Sequence, residues 1–387
     1  MIIPELPAYL TRLGGAEYKG LIISLFTLTA GLSRPFSGKL ADTIGRIPVM
    51  VIGAVFSFVC GLLYPFVAGV ATFLILRLFH GFSTGFKPTG TSAYVADLVP
   101  DDRRGEAMGM LGFFSALGTA LGPVLGGEIV RHSIDMVFYT SSAFAIASII
   151  ILINMKETLV NKQRFSFSLL KIPPKEVLEP KVFRPSIAML FSVFSFGVVL
   201  TITPDLSQYL NIENKGMFFL YFTLASLAVR FISGKASDTF GREPVLVAAT
   251  FVLTISMIMF GLTTTPFMLA ASSVVFGLAV GGTIPAIYAW TIDLSDPEKR
   301  GRAFATMYIS LEIGIGLGAL ISGFTYGNNP ANFQISYWIA GATSFIAFIF
   351  VLFNHQQKRK RMRVQNASLP DLGKPAISAR ARGNDSG

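Results

Sequence analysis

Glu312 stands near the middle of an apolar run over residues 302–326, and Tyr308 lies one helical turn before it on the same face. A carboxyl group held away from water binds and releases a proton at a pH set by its burial and by nearby charges, which suits it to carry protons. The plainer role for such a residue is a protonated glutamate bonded to a neighbouring helix. A second set lies in the run 71–97, where Arg77, His80, Thr84, Lys87 and Thr91 fall within an arc of about 80° at ~100° per helical residue. An ionised side chain at mid-bilayer costs about 2.5–3.5 kcal/mol, so Arg77 and Lys87 turned toward lipid would cost roughly 6 kcal/mol together. They are expected to face protein interior or a wet cavity, as a wall that attracts an anionic group or relays protons, with His80 the most easily titrated member. The competing reading is packing: a structural Arg77, and Lys87 bonding carbonyls freed near Pro88. Tyr288, Trp290, Thr283 and Gln208 are further polar or aromatic residues that could line a cavity, although packing and interfacial anchoring are commoner roles for them.

These residues need a membrane scaffold. Of 387 residues, 52% are hydrophobic and 14% charged, and the mean hydropathy is +0.59; soluble domains carry about 25% charged residues. Runs of the ~20 apolar residues needed to cross a bilayer recur over 18–38, 47–68, 71–97, 105–130, 134–155, 182–204, 216–234, 244–263, 266–293, 302–326 and 331–354. The fold class is therefore an all-α polytopic membrane protein with eleven full spans. The organisation reads as an N-terminal helix bundle (1–155), a linker (156–181), a C-terminal bundle (182–354) and a basic tail (355–387). The net charge of +10 does not indicate nucleic acid, because the charges sit in loops between apolar runs. Lys39, Arg46, Arg103, Arg104, the linker cations, Lys235, Arg242, Lys299 and the tail share one side; Arg12, Lys19, Arg131 and Lys215 hold the other. The positive-inside rule then puts the linker and the tail in the cytoplasm of a cell whose plasma membrane holds the chain. The lone Cys60 excludes an internal disulfide, and no metal-binding motif is present. Without a phosphate-binding loop, a catalytic triad or a zinc motif, the sequence predicts no enzyme and no bound cofactor.

The two bundles are copies. Gly38-Lys39-Leu40-Ala41-Asp42-Thr43-Ile44-Gly45-Arg46-Ile47-Pro48 recurs 196 positions later as Gly234-Lys235-Ala236-Ser237-Asp238-Thr239-Phe240-Gly241-Arg242-Glu243-Pro244. The same offset aligns Arg34 with Arg230 and Asp97 with Asp293, but Glu312 with Ala116. The acid is thus private to one half. Matched Arg34 and Arg230 are expected to be structural, and Asp97 and Asp293 to partner Arg46 and Arg242. Gly38 and Gly234 are expected to allow close helix approach. Gly118, Gly122 and Gly126 form a ladder of small residues, echoed by Gly314, Gly318 and Ser322.

The doubled G-K-x-[AS]-D-x-x-G-R-x-P resembles the loop motif of the major facilitator superfamily, and Arg77–Gly85 resembles its fourth-helix motif. Gly109, Gly118, Gly122, Pro123 and Gly126 have spacing similar to the fifth-helix motif of its drug/proton antiporters. The resemblance implies twelve helices in two six-helix halves, a central substrate cavity and alternating access, with parallel halves as the repeat requires. It implies that Gly38, Asp42, Gly45, Arg46, Gly234, Asp238, Gly241 and Arg242, with Asp97 and Asp293, form a conformational latch, against the plainer reading of a charged turn that enforces topology. The expected activity is proton-coupled export of a small organic molecule by a monomer in a lipid bilayer. Import of an organic anion and a non-transporting sensor with the same fold are the alternatives. Pro4–Leu10 aligns with Pro204–Leu210, and the ~20-residue spanning length then predicts that roughly 19 residues of a first helix belong before Met1.

Overall fold

The computed structural model describes residues 1–98, 104–159, 162–173, 177–295 and 300–367. Among them twelve α-helices run in chain order: α1 (Leu6–Arg12), α2 (Lys19–Thr43), α3 (Arg46–Leu63), α4 (Val70–Leu98), α5 (Arg104–Ile129), α6 (Ile134–Ile153), α7 (Phe183–Tyr209), α8 (Met217–Phe240), α9 (Arg242–Gly261), α10 (Pro266–Leu294), α11 (Arg300–Tyr326) and α12 (Phe333–Ala367). Eight of them, α3, α5, α6, α7 and α9–α12, are long and apolar enough to cross a membrane. The long helices α2, α4 and α8 fall outside that set, and they carry Arg34, Arg77, Lys87 and Arg230 inside their spans.

Local sequence explains the helix boundaries. Gly45 (φ +127°) and Gly241 (φ +93°) adopt backbone that L side chains resist, so α2 breaks from α3 and α8 from α9 at these glycines. Ser133 caps α6 by accepting from the Asp135 amide at 3.1 Å, and Thr265 caps α10 from the Met268 amide at 3.2 Å, ahead of Pro266 in the first turn. The basic segment after His355 is helical as far as Ala367, because α12 continues into it. Lys, Arg, Gln and Met are good helix formers, and no glycine or proline interrupts them there.

The repeat in sequence is a repeat in packing. In the first half α2 packs on α4, α4 on α3 and α3 on α6; in the second α8 packs on α10, α10 on α9 and α9 on α12. The halves meet through two related seams, α2 against α11 and α5 against α8. Small residues make the first seam tight: a side chain at Gly323 would lie 2.4 Å from the Gly20 Cα. One pair breaks the correspondence. α7 has 27 residues and packs closely on α11, with Gly314 and Gly318 against the Leu190 and Phe194 carbonyls, whereas its repeat counterpart α1 has seven. The small-residue ladder of α5 therefore does not act as its copy does. Gly118 has no neighbour within 4 Å, and Gly122 and Gly126 meet Met1. Gly38 also faces open space, which corrects the expectation of close approach there. The surroundings of Gly109, Gly234 and Asp238 lie outside the described residues, as do parts of the linker and residues 368–387.

The core is continuous at one end only. At the end away from Gly45 and Gly241, one apolar cluster runs through both halves, from Leu6, Tyr64, Phe73 and Phe138 to Phe218, Phe260, Phe276 and Tyr337. At the loop-motif end the core divides into clusters belonging to single halves, around Val49 and Phe86, around Met50 and Tyr94, and around Leu246, Trp290 and Met307.

Candidate functional site

Midway along the α2–α11 seam, Arg34 and Glu312 form a buried ion pair, Nη2 to Oε1 at 2.9 Å, with side chains 7% and 4% exposed. The guanidinium lies 4.7 Å over the Tyr308 ring, and its Nη1 reaches the Thr89 hydroxyl at 3.4 Å. Gly31 makes room for the acid: a side chain there would come within 3.3 Å of the Glu312 Cβ. Tyr288, Tyr308 and Phe304 form an aromatic group beside the pair, with ring centroids 5.9–6.3 Å apart. The Tyr288 ring meets Tyr308 edge-on at 5.9 Å, and Tyr288 lies within electrostatic reach of both Arg34 and Arg230. An ion pair whose carboxylate can accept a proton and an aromatic surface thus converge where the halves meet. Buried ion pairs of this kind hold when both partners are present and are costly when one is removed. Arg34 and Arg230 are therefore not equivalent structural residues, which corrects the expectation from their symmetry. The Arg34 charge is answered from the other half.

The arc on α4 faces elsewhere. Arg77 is 1% exposed and is locked inside the first half. Its Nε donates to the Ile22 carbonyl at 2.9 Å, its Nη1 to the Tyr64 hydroxyl at 3.2 Å, and its guanidinium sits 4.5 Å over the Phe26 ring. His80 Nδ1 bonds the same tyrosine hydroxyl at 3.2 Å and meets Phe26 edge-on. Lys87 donates to Ser148 of α6 at 2.9 Å, and Thr91 bonds the Lys87 carbonyl within α4. Thr84 is half-buried on the same arc. The five do share a face, but it meets α2 and Tyr64 through Arg77 and His80 and α6 through Lys87, and it does not meet Glu312. The Lys87 ammonium bonds Ser148 and not the carbonyls near Pro88. It is Thr89, on the adjoining face, that reaches the central pair. Of the other polar or aromatic candidates, Trp290 and Thr283 are buried and Gln208 is exposed.

The loop motifs tie helices within each half. Arg46 bonds Asp42 at 2.7 Å, Asp97 at 3.1 Å and the Ala41 carbonyl. Thr158 donates to Asp97 at 2.7 Å. Glu157 accepts from the amides of Arg46, Ile47, Thr158 and Leu159 at 3.0–3.1 Å, so it caps the start of α3. Burial pushes the Glu157 carboxyl up, but the four amide donors outweigh it and hold it below the ordinary carboxylate range. In the second copy Arg242 bonds Asp293 at 2.9 Å and Ser237 at 3.2 Å, while Glu243 pairs with Lys358 at 3.0 Å. Among the described residues, the contacts these motifs make stay within one half or run to the linker. At the opposite end the halves are joined by Lys19 with Asp205, by Arg131 with Glu213 at 2.6 Å, by Asn214 with Glu128 at 2.9 Å and by Asn328 with the Ala16 carbonyl at 2.7 Å. A cleft of about 160 Å³ at that end is lined by Glu5, Tyr9, Arg12, Glu213 and Lys215. It lies far along the bundle from Glu312, and its charges belong to the seam.

The family profile described as Major Facilitator Superfamily matches residues 1–201 and again residues 185–381. The chain belongs to the Major Facilitator Superfamily. Two matches in tandem fit the two halves. Relatives include the multi-drug resistance efflux pump PmrA of Streptococcus pneumoniae, 29% identical over 94% of this chain and 93% of the pump. The multidrug resistance protein MdtG of Salmonella paratyphi C is 27% identical over 83% of each chain. The fold matches the crystal structure of a D-xylose-proton symporter with a TM-score of 0.72 at 18% identity, covering 87% of both chains. This superfamily member is accordingly a multi-pass membrane transporter whose relatives are efflux pumps.

Sequence reasoning missed Arg34, Thr89 and Glu157 as site residues. A usable signal existed for the first. A lone deep acid needs a cation, and the sequence offers four inside spans: Arg34, Arg77, Lys87 and Arg230. Choosing among them requires knowing that α2 and α11 are neighbours.

Proposed function

We propose that this chain is a proton-coupled exporter of small organic molecules that works by alternating access, with Glu312 as the proton carrier and Arg34 as its switching partner. The observation that carries the reading is the Arg34–Glu312 pair, the one ion pair among the described residues that joins the halves at mid-membrane. When Glu312 takes a proton it no longer neutralises Arg34, and the attraction across the seam falls. Protonation then loosens the two halves, and deprotonation draws them together. The distribution of contacts favours a state closed at the end of Lys19 and Asp205 and open at the loop-motif end. By the positive-inside rule the open end faces the cytoplasm, where an exporter loads. The linker and the C-terminus then lie in the cytoplasm, no bound cofactor is required, and one chain suffices. In this reading the loop motifs act as the latch: Arg46 and Arg242 hold Asp97 and Asp293 while the end is open, and repack when it closes. The test is flux. Everted membrane vesicles containing the protein are given a pH gradient and a panel of cationic, neutral and anionic dyes. Gradient-dependent accumulation is expected, abolished by a proton ionophore. Failure to move any dye, with the protein inserted and folded, would overturn the proposal.

A further inference from the structure

The two seams between the halves are related by the repeat, so each partner of Arg34 has a counterpart beside Arg230. Arg34 is held by Thr89, Tyr308 and Glu312. At the offset of 196 these positions become Pro285, Gly112 and Ala116. None can accept a hydrogen bond from a guanidinium through its side chain. The surrounding geometry is otherwise kept. Ser37 donates to the Gly85 carbonyl at 2.7 Å, and its counterpart Ser233 donates to the Gly281 carbonyl at 3.3 Å. Arg230 therefore occupies the place of Arg34 with the answering side chains removed.

The contacts bear this out. The Nε of each arginine is buried with no hydrogen-bond partner, but Arg34 has the Glu312 carboxylate on its Nη2 whereas Arg230 makes no ion pair among the described residues. Its Nη1 lies 3.5 Å from where a side chain at Gly112 would begin, and nothing else comes within 4 Å of that point. Ala116, one turn further on the same face of α5, is only half-buried. Where the other seam sets a tyrosine ring and a carboxylate against its arginine, this seam sets only the glycine and alanine of α5 against an uncompensated cation. Arg34, Glu312 and Arg230 together leave one positive charge in excess. Tyr288 lies within electrostatic reach of both arginines, and its ring meets that of Tyr308 at a centroid distance of 5.9 Å. A guanidinium inside a membrane-embedded protein is stable when an anion pairs with it, and its planar fork suits a carboxylate or sulfonate.

We propose that Arg230, where it faces Gly112 of α5, is the anion subsite of the substrate cavity, at which the carboxylate or sulfonate of an amphipathic organic monoanion takes the role that Glu312 fills in the other seam. The proposal rests on the transport reading of the same cavity and adds its substrate class: a flat apolar body against Tyr288 and Tyr308, and one negative group on Arg230. The anion enters from outside the chain and leaves again, which a fixed glutamate at position 116 could not do.

The test uses binding to the purified full chain in lipid nanodiscs, so it does not depend on transport. The probes are radiolabelled 2-naphthoate, 2-naphthalenesulfonate and neutral 2-naphthamide. Each anion is expected to bind at least tenfold more tightly than the amide, and Arg230→Gln is expected to erase the difference. Ala116→Glu supplies the carboxylate from within and is expected to lower anion affinity at least tenfold while leaving amide binding within twofold. That variant keeps the test open if Arg230→Gln folds poorly, and a merely structural arginine would not produce its selective loss. Equal binding of amide and anions, no anion binding, or unchanged anion affinity in Ala116→Glu would each overturn the subsite. Proteoliposome flux of 2-naphthoate separates the two readings. Arg230-dependent binding without flux would keep the subsite and remove the transporter. Flux of cations indifferent to both substitutions, with no anion preference, would do the reverse.

Discussion

Removing the carboxylate of Glu312 while keeping its shape isolates the central ion pair. In Glu312→Gln the Arg34 guanidinium stays charged, 7% exposed, with only Thr89 at 3.4 Å and the Tyr308 ring to receive it. Leaving one partner of a buried pair uncompensated costs about 3–5 kcal/mol. The amide of the glutamine can still accept one hydrogen bond from Nη2, which recovers about 1 kcal/mol. The expected loss is therefore about 2–4 kcal/mol. Arg34→Gln strands the carboxylate, which can escape by taking up a proton, so its loss should be smaller. In the double variant two neutral amides face each other across the seam and no charge is stranded. A cycle of the four proteins, measured by reversible denaturant unfolding in mixed micelles, should give a coupling energy of at least about 1.5 kcal/mol. In transport, Glu312→Gln should lose uphill accumulation driven by a pH gradient and retain downhill exchange. Additive losses in the cycle, or intact gradient-driven accumulation in Glu312→Gln, would refute the reasoning from the pair.

The other expectations concern the ends of the bundle. Gly45→Ala puts a methyl group 2.4 Å from the Glu157 carboxylate and strains a backbone of φ +127°, whereas Gly241→Ala has only the strain, with its nearest neighbour 3.9 Å away; strain alone is worth about 1–3 kcal/mol. Thermal unfolding should thus show a larger loss for Gly45→Ala, and equal losses would mean that the Glu157 cap contributes nothing. Because the Glu157 carboxyl is held below the ordinary carboxylate range, its stabilisation of the α3 start is fully present above the unfolded carboxylate value and is lost as pH falls through the lower folded value. Hydrogen exchange at the Arg46 and Ile47 amides should therefore stay protected through mildly acidic pH and open only in stronger acid, with Glu157→Gln exposing them already at neutral pH. Lys19→Ala should weaken the closed end, where Lys19 meets Asp205 and lies 5.6 Å from the Tyr326 ring, and so raise the reactivity of a cysteine placed at half-buried Ala16, whose carbonyl is bonded across the same seam, in a Cys60→Ser background; unchanged labelling would deny Lys19 a role in closure. Single cysteines in the linker, placed in the same background, should resist impermeant reagents in intact cells, and external labelling would invert the assigned topology.

Much of this protein follows from residue order alone. Long apolar runs must become helices in a bilayer, because their backbone groups have no other partners there. The doubled motif around Gly45 and Gly241 requires two similar halves, and Asp97 and Asp293 could be matched to Arg46 and Arg242 because the copies preserve the same charges. The depth of Glu312 was legible for the same reason: a charge within an apolar run has only an interior in which to be stable. Which interior was not legible. Periodicity places Arg77, His80 and Lys87 on one face of α4 but does not say which helices that face meets, and in the structure it meets α2 and Tyr64 at one end and α6 at the other. The seams α2–α11 and α5–α8 join residues far apart in the chain, and their pairing comes from how whole helices pack. That packing decides that Arg34 has Glu312 while Arg230, its twin in sequence, has Gly112 and Ala116. Symmetry is a property of the sequence, but the break in symmetry acquires a chemical meaning only when two helices bring the unmatched positions face to face.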